Sequence, residues 1–277
     1  MRRIAVIVML GFIGPGFVRG ESIPVPNFSF ELPAVTRDEM NPFGALPFID
    51  DWDETEVGLQ DEFDQNTGVF LNIDPGSPDR ISNAHLDRLA FMSSLVGNDL
   101  RQELTRVFEV GRSYQLTVAV GTSSTFPVGT DEAFEIALFY FENGVEQVIA
   151  SSLVHGADVG TTVLSDVIVD APVVSLGDAW AGLPIGILIR PSIDDSNDSV
   201  GEGFWNLDFV RLSASDPAMT GDVNCDGAVD HHDVVALAEV LMGIDKTPCH
   251  VGAANVNADM ETNGLDIQPL IDLLVSS

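Results

Sequence analysis

The most constraining feature of the chain is a twelve-residue polar stretch that occurs twice near the C-terminus, at residues 222–233 and 255–266. Both copies carry oxygen-bearing side chains at positions 1, 3, 5, 9 and 12. A loop with this spacing wraps one calcium ion, and position 7 adds its backbone carbonyl. The spacing therefore predicts two calcium sites. The expected ligands are Asp222, Asn224, Asp226, Ala228, Asp230 and Asp233 in the first loop, and Asn255, Asn257, Asp259, Glu261, Asn263 and Asp266 in the second.

An apolar pattern at helical spacing follows each loop, so each copy is predicted to be a loop followed by a helix. The spacing places each apolar set on one helix face. These sets are Val234, Leu237, Ala238 and Leu241 after the first loop, and Ile267, Leu270, Ile271 and Leu274 after the second.

This duplicated loop-helix resembles the type I dockerin family. It differs from a pair of EF-hands because position 12 is Asp in both copies, and because no helix-forming segment precedes the first loop. The resemblance implies docking to a cohesin-like protein, on a scaffold or cell surface. The family's partner contacts lie at loop positions 10 and 11, which are His231 and His232 in one copy and Gly264 and Leu265 in the other.

Because the two copies differ at positions 10 and 11, two symmetric docking modes are not expected. The His231–His232 pair also suggests a transition-metal site as an alternative. Neighbouring residues at the start of a helix are not expected to face one another, so partner contact is the favoured interpretation. On the first helix, Val235, Glu239 and Met242 are the expected partner-facing residues.

The chain has two cysteines, Cys225 and Cys249, and both lie in the dockerin-like region. An exported protein meets an oxidising compartment, where a disulfide between them would form. Two unpaired buried thiols are the alternative.

The first twenty residues have the pattern of a secretory signal peptide, with Arg2 and Arg3 ahead of a short apolar run. This run is too short to span a bilayer, so a secreted or cell-surface protein is expected. A retained membrane anchor is the alternative. The full chain carries a formal net charge of −31, and loss of the leader would make it −34. Such a charge argues against nucleic acid and anionic membranes as partners.

Residues 21–214 have the pattern of an all-β region, with many short alternating runs separated by Gly, Pro, Asp and Ser. Residues 134–140 alternate, and Asn143-Gly144 then predicts a hairpin turn. Residues 86–91 and 99–108 look partly helical, and residues 104–108 fit a strand as well. The whole predicts an antiparallel β-sandwich or jelly roll, followed by a linker at 215–221 and a small α-helical domain at 222–277.

A second resemblance is carried by three segments of this region, at residues 27–33, 108–118 and 204–212. The first contains Asn-Phe-Ser-Phe-Glu-Leu-Pro, and the others correspond to a middle strand pair and a last strand. They are similar to galactose-binding-like jelly rolls, which include many carbohydrate-binding modules. That resemblance implies a third calcium, held by Glu31 and Asp208, as an alternative to two solvated acids.

Sugar binding would require an exposed aromatic platform, and Trp52 and Trp180 lie in loop-like contexts that suit one. No nucleophile elbow, zinc pair or phosphate loop is present in the sequence, so no catalytic residue is assigned. We therefore expect an exported, non-catalytic β-sandwich that docks through its tail and binds polysaccharide. The alternatives are a divergent polysaccharide-degrading glycoside hydrolase or lyase, and a structural surface protein with a calcium-stabilised tail.

Overall fold

A computed structural model describes most of the chain after residue 20. The expected leader and most of the expected linker lie outside the described residues. The chain divides into a unit spanning Glu21–Ala214 and a second unit that begins at Ser215. No helix in the described portion is long and apolar enough to cross a membrane. The described residues are 21–39, 41, 44–55, 66–193, 203–215, 220–226, 228–257, 259 and 261–276.

The first unit is built from β-strands. Its described strands are β1 (Glu21–Ile23), β2 (Ala45–Leu46), β3 (Asp53–Thr55), β4 (Thr67–Leu71), β5 (Arg88–Ser93), β6 (Asp99–Val107), β7 (Ser113–Thr122), β8 (Ala133–Glu142), β9 (Val145–His155), β10 (Ser165–Ala171), β11 (Pro184–Ile193) and β12 (Phe204–Ser215).

These strands form two sheets. One has the order β10-β7-β12-β5-β4-β2, with β1 also paired to β12, and the other has the order β3-β6-β11-β8-β9. The registered pairs are antiparallel. Buried side chains from both sheets belong to one hydrophobic cluster, so the sheets pack face to face. The predicted antiparallel β-sandwich is confirmed. Residues 86–91 and 99–108, which looked partly helical, belong largely to strands β5 and β6.

Strand β8 shows how the sequence pattern produces this packing. Its alternate residues Phe134, Ile136, Leu138 and Tyr140 belong to the core between the sheets. The predicted turn joins β8 to β9, with Asn143 at φ 53° and Gly144 at φ 80°. Two successive left-handed residues form the turn whose twist matches that of a hairpin. The hairpin prediction is therefore confirmed.

The second unit contains three helices: α1 (His232–Leu241), α2 (Pro248–Ala254) and α3 (Ile267–Ser276). Helices α1 and α3 follow the two loops, as predicted. The predicted apolar face of α1 is partly wrong, because Val234 and Ala238 are exposed while Ala236 and Val240 are buried with Leu237. These three residues pack in a small core whose other buried members are Val223, Ala254 and Leu270.

Candidate functional site

The first loop is organised by its own acidic side chains. The buried carboxylate of Asp233 accepts hydrogen bonds from the backbone N–H groups of Asn224, at 3.0 Å, and Asp230, at 2.6 Å. The N–H of Asp226 donates to the carboxylate of Asp222, also buried, and to the side-chain oxygen of Asn224, each at 3.0 Å. Position 12 thus joins the start of the loop to its end. This brings positions 1, 3, 5, 9 and 12 together in one short turn of chain.

The second loop repeats this arrangement 33 residues later. The buried carboxylate of Asp266 accepts from the N–H groups of Asn257, at 3.1 Å, and Asn263, at 2.8 Å. The N–H of Asp259 donates to the side-chain oxygen of Asn257 at 3.0 Å. The side-chain oxygen of Asn255, at position 1, is buried without a hydrogen-bond partner.

These donor sets fit calcium, which is a hard cation that prefers oxygen ligands. The unpartnered oxygen of Asn255 is an acceptor that a bound cation would satisfy, because a buried polar atom left without a partner is costly. The ligand assignments remain predictions. Position 6 of each loop, Gly227 and Met260, lies outside the described residues.

The two histidines after position 9 do face each other, contrary to the geometric expectation from sequence. The rings of His231 and His232 have centroids 3.9 Å apart, at an angle of 38°. Both side chains are largely exposed, and so are Gly264 and Leu265 at the matching positions of the second loop. All four partner-contact candidates are therefore accessible to another molecule.

Cys225 is disulfide-bonded and adopts a left-handed backbone conformation, with φ 55°. No described cysteine is free. The side chain of Cys249 lies outside the described residues, so its pairing with Cys225 stays a prediction.

The acids proposed for a third calcium lie close together in the sandwich. The carboxylate of Asp208 is fully buried and accepts hydrogen bonds from the N–H groups of His85, at 2.6 Å, and Phe209, at 2.7 Å. The pKa of Asp208 is raised to about 7, chiefly by burial and in smaller part by the negative charge of Glu31, against the lowering effect of the two N–H donors. Glu31 also forms a 2.7 Å ion pair with Arg88. A divalent cation held by Glu31 and Asp208 would offset the cost of burying Asp208 in its charged form, so these residues fit the predicted ion.

Neither tryptophan proposed for sugar stacking offers an exposed face, so that prediction is wrong. Trp52 is 7% exposed and packs against Phe30, with ring centroids 5.5 Å apart. Trp180 is 9% exposed and meets Phe108 edge to face at 5.0 Å. Both belong to the core between the sheets. A loop-like sequence context does not show whether a large aromatic side chain folds inward or outward.

An aromatic groove that the sequence analysis missed is present in the sandwich unit. It encloses about 460 Å³ and is lined by residues that include Phe70, Phe126, Asn206, Arg37 and Asp79. Phe126 is 54% exposed, so an aromatic face is open to a ligand. The phenylalanines that alternate with core residues on β4, β5 and β12 were the available signal. We call this site the phenylalanine groove.

The phenylalanine groove rests on a chain of ring contacts and a fixed cation. Phe91 lies between Phe70, at 6.4 Å, and Phe204, at 5.8 Å, and Phe204 in turn contacts Phe126 at 6.1 Å. Arg37 is held by a 3.0 Å ion pair with Asp74 and by the carbonyls of residues 71 and 72. The groove therefore combines apolar rings with a positioned guanidinium, as small-molecule sites commonly do.

The fold and the two loops define a β-sandwich protein with a C-terminal dockerin: residues 220–275 match the model of the dockerin type I domain, a family that binds calcium. Residues 21–213 match the family model described as HpiC1 cyclase. That match covers most of the chain, and the protein belongs to the HpiC1-like family.

Solved structures show the same fold for the sandwich. One is a Stig cyclase, Fisc, from Fischerella sp. TAU in complex with (3Z)-3-(1-methyl-2-pyrrolidinylidene)-3H-indole, with 20% identity, a TM-score of 0.54, and coverage of 71% of this chain and 98% of that one. Another is a cyclase from Fischerella sp. TAU in complex with 4-(1H-Indol-3-yl)butan-2-one, with 21% identity, a TM-score of 0.51, and coverage of 70% and 98%.

A xylan-binding CBM22-1 domain from Paenibacillus barcinonensis Xyn10C has 10% identity and a TM-score of 0.37, and it covers 60% of this chain and 87% of that one. No relative is found among curated proteins.

Proposed function

We propose that the C-terminal unit docks this exported protein to a cohesin-like partner in a calcium-dependent way, and that the β-sandwich is the functional module so anchored. The observation that carries the proposal is the repeated loop architecture. In both copies the buried Asp at position 12 accepts N–H hydrogen bonds from positions 3 and 9. Two copies of one ligand geometry support a dedicated metal-folded module.

Charge explains why docking should depend on the ion. Within the first loop, the backbone N–H of Asp226 donates to Asp222 and that of Asp230 donates to Asp233. Four carboxylates thus lie in one twelve-residue loop, where like charges repel. Bound calcium supplies compensating positive charge, so the energy of ion binding becomes folding energy. Asp233, in the first turn of α1, then holds the start of the helix to the loop by accepting hydrogen bonds from Asn224 and Asp230.

The first helix presents a face that suits a partner. Val235 and Glu239 on α1, and Met242 directly after it, are exposed on the side away from buried Leu237. An apolar surface rimmed by a charge is typical of a protein interface. His231 and His232 adjoin this face, whereas the second copy has Gly264 and Leu265. This difference supports docking in a single orientation through the first copy.

The docking proposal is tested by capture of the full-length protein on immobilised cohesin-type proteins, with calcium and with a chelator. Chelation should abolish capture, and Asp222→Ala should weaken it at least tenfold because a loop ligand is lost. Asp170→Asn, which removes an exposed acid of the sandwich, is the matched control and should capture normally. Capture that survives both chelation and Asp222→Ala would contradict the proposal.

For the sandwich, we propose that the phenylalanine groove is the ligand site. A pyranose ring has an apolar face that stacks on an exposed aromatic ring, so Phe126 supports the expected polysaccharide binding. Arg37 and Asp79 would hydrogen-bond the hydroxyl groups. This assignment places sugar binding on phenylalanines rather than on the two buried tryptophans.

A second candidate function is favoured by membership of the HpiC1-like family, over residues 21–213. Here the same groove would enclose a small aromatic substrate and the sandwich would be a cyclase-type enzyme, in place of the non-catalytic role expected from sequence. The aromatic lining suits a planar ligand, and Arg37 and Asp79 are the charged groups available beside it. The docking role proposed for the C-terminal unit is the same whether the sandwich is an enzyme or a binding module.

The two candidates are separated by a panel of soluble polysaccharides and indole compounds, assayed for binding and for product formation. Phe126→Ala should weaken binding of the true ligand roughly tenfold, since a ring contact contributes about 0.5–1.5 kcal/mol beyond the apolar area that it buries. Phe48→Ala removes a similarly exposed ring outside the groove and is the control. Binding unaffected by Phe126→Ala would show that the groove is not the site.

A further inference from the structure

We propose that Asp230, His231 and His232 form a binding site for a divalent transition-metal ion of the zinc class, at the exposed start of α1. One potential ligand atom from each of the three residues lies within 4.8 Å of the others. Two imidazoles and one carboxylate are ligands that zinc accepts, with a fourth position left for water or a partner group. We call these three residues the His–His–Asp cluster.

The separations between the ligand atoms fit a shared ion. The Nδ1 atom of His232 lies 3.0 Å from Oδ1 of Asp230, and the Nδ1 atom of His231 lies 4.0 Å from the same oxygen. Zinc–nitrogen and zinc–oxygen bonds of about 2.0–2.1 Å at a tetrahedral angle place two ligand atoms roughly 3.3–3.4 Å apart. The observed separations bracket this value, so small rotations of two exposed side chains would complete the site.

The position of the rings supports the same conclusion. Their centroids are only 3.9 Å apart, so both imidazoles are turned toward one side of the helix start. Both side chains are exposed, 83% for His231 and 64% for His232, and an ion can reach them from solvent. The 3.0 Å contact between Nδ1 of His232 and Asp230 is a hydrogen bond in which Nδ1–H donates, because a carboxylate only accepts. Coordination through Nδ1 would therefore require this proton to pass to Nε2 of the exposed ring.

Hydrogen bonds within the first calcium loop hold the carboxylate of Asp230 in position for a zinc ion. The side chain of Asp230 accepts a 2.7 Å hydrogen bond from the N–H of His232, and the N–H of Asp230 donates to Asp233 at 2.6 Å. Position 9 of such loops often reaches calcium through a water, so Asp230 can serve a neighbouring ion as well. Imidazole nitrogens favour zinc over calcium, which keeps the two sites chemically distinct.

The second loop offers a natural control for the cluster. Positions 9, 10 and 11 there are Asn263, Gly264 and Leu265, and they hold no imidazole or carboxylate. The N–H of Leu265 nevertheless donates to the side chain of Asn263 at 2.8 Å, as His232 does to Asp230. The backbone design is therefore the same in both loops while the ligand chemistry differs, so histidine is not required for the turn.

The test is calorimetric titration of zinc chloride into untagged, full-length protein saturated with calcium. We expect one zinc ion per chain. The double replacement His231→Gly with His232→Leu, which copies the second loop, should weaken zinc binding at least tenfold while calcium binding and helical circular dichroism are kept. His155→Gln, in the sandwich, is the control and should bind zinc normally.

A converse variant keeps the test decisive if the double replacement fails to fold. Asn263→Asp with Gly264→His and Leu265→His rebuilds the cluster on the second loop, and zinc stoichiometry should rise from one to two. Absence of zinc binding by the unaltered protein, zinc affinity unchanged in the first variant, or stoichiometry unchanged in the second would each overturn the proposal.

A consequence for docking rests on the proposed function of the tail. His231 and His232 occupy the partner-contact positions, so zinc should change the affinity of the unaltered protein for a cohesin-like partner. The affinity of the double replacement should be the same with and without zinc. The zinc titration uses no partner, so a failure of docking and a failure of the metal site would be observed separately.

Discussion

The buried carboxylate of Asp208 makes the stability of the sandwich depend on pH in a direction opposite to that of most acids. Its pKa is raised to about 7 from an ordinary 3.8, first by burial and then by Glu31. Below pH 4 the carboxyl is neutral in the folded and unfolded states, and its contribution to stability is fully present. Between pH 4 and 7 the unfolded chain loses this proton while the folded chain keeps it, so stability falls as pH rises.

The magnitude follows from the difference between the two pKa values. A tenfold change in equilibrium corresponds to about 1.4 kcal/mol, so full burial of the charge lowers stability by up to about 4 kcal/mol above pH 7. Asp208→Asn removes the charge but also weakens one of two N–H hydrogen bonds, a loss of about 1.5–3 kcal/mol. In chelator at pH 8 the variant should therefore be more stable by about 1–3 kcal/mol. In the presence of calcium the unaltered protein should be more stable than Asp208→Asn, because the ion binds the carboxylate of the folded state.

Urea unfolding followed by tryptophan fluorescence measures this effect on the sandwich alone. All three tryptophans of the chain, Trp52, Trp180 and Trp205, lie in that unit. The difference in unfolding free energy between the unaltered protein and Asp208→Asn should change sign with calcium and grow with pH in chelator. Asp170→Asn, an exposed acid, is the control. A difference that stays constant from pH 4 to 8 would refute the reasoning about Asp208.

Three further predictions concern the loops, the cysteines and the second sheet. The first loop should bind calcium more tightly than the second, because it has four side-chain carboxylates against two. Calorimetry should show that Asp222→Ala removes the tight site and that Asp266→Ala does not. Equal loss of the tight site in both variants would contradict this. Mass spectrometry of unreduced, alkylated protein from its host should find Cys225 joined to Cys249, a closed loop that stabilises the unit by about 3 kcal/mol, and two alkylated thiols would disprove the pairing. Gly186→Ala should destabilise the sandwich by about 1–3 kcal/mol in urea unfolding, because the new Cβ would lie 2.5 Å from the buried ring of Phe139. Gly177→Ala, which meets no neighbour, should have little effect, and equal effects in the two variants would contradict the packing argument.

Features that depend on a few neighbouring residues were predicted well. The two loops follow from ligand spacing within twelve residues, and the β8–β9 turn follows from Asn143-Gly144. The alternation in β8 identified the core-facing side chains because strand period is a local property. The same rule could not show that the opposite face of β8 is also covered, where Ala137 and Phe139 are buried.

Features that depend on which segments meet in space were decided by the tertiary structure. Trp52 and Trp180 are buried because other parts of the sandwich close over them, and α1 buries Ala236 and Val240 because its neighbours lie on that side. His231 and His232 face each other through side-chain rotations that helical spacing does not determine.

The phenylalanine groove is the clearest case of this division. Phe70, Phe126 and Asn206 are far apart in the sequence, and nothing near any one of them indicates the others. Phe70 and Asn206 meet because β12 pairs with β5, and β5 with β4. Phe126 joins them because its carbonyl accepts a 2.9 Å hydrogen bond from the N–H of Phe204 on β12. Periodicity tells which face a side chain occupies, whereas strand order tells which faces adjoin. The sequence by itself therefore determined the metal loops and the kind of fold, and only the packed sheets brought the groove together.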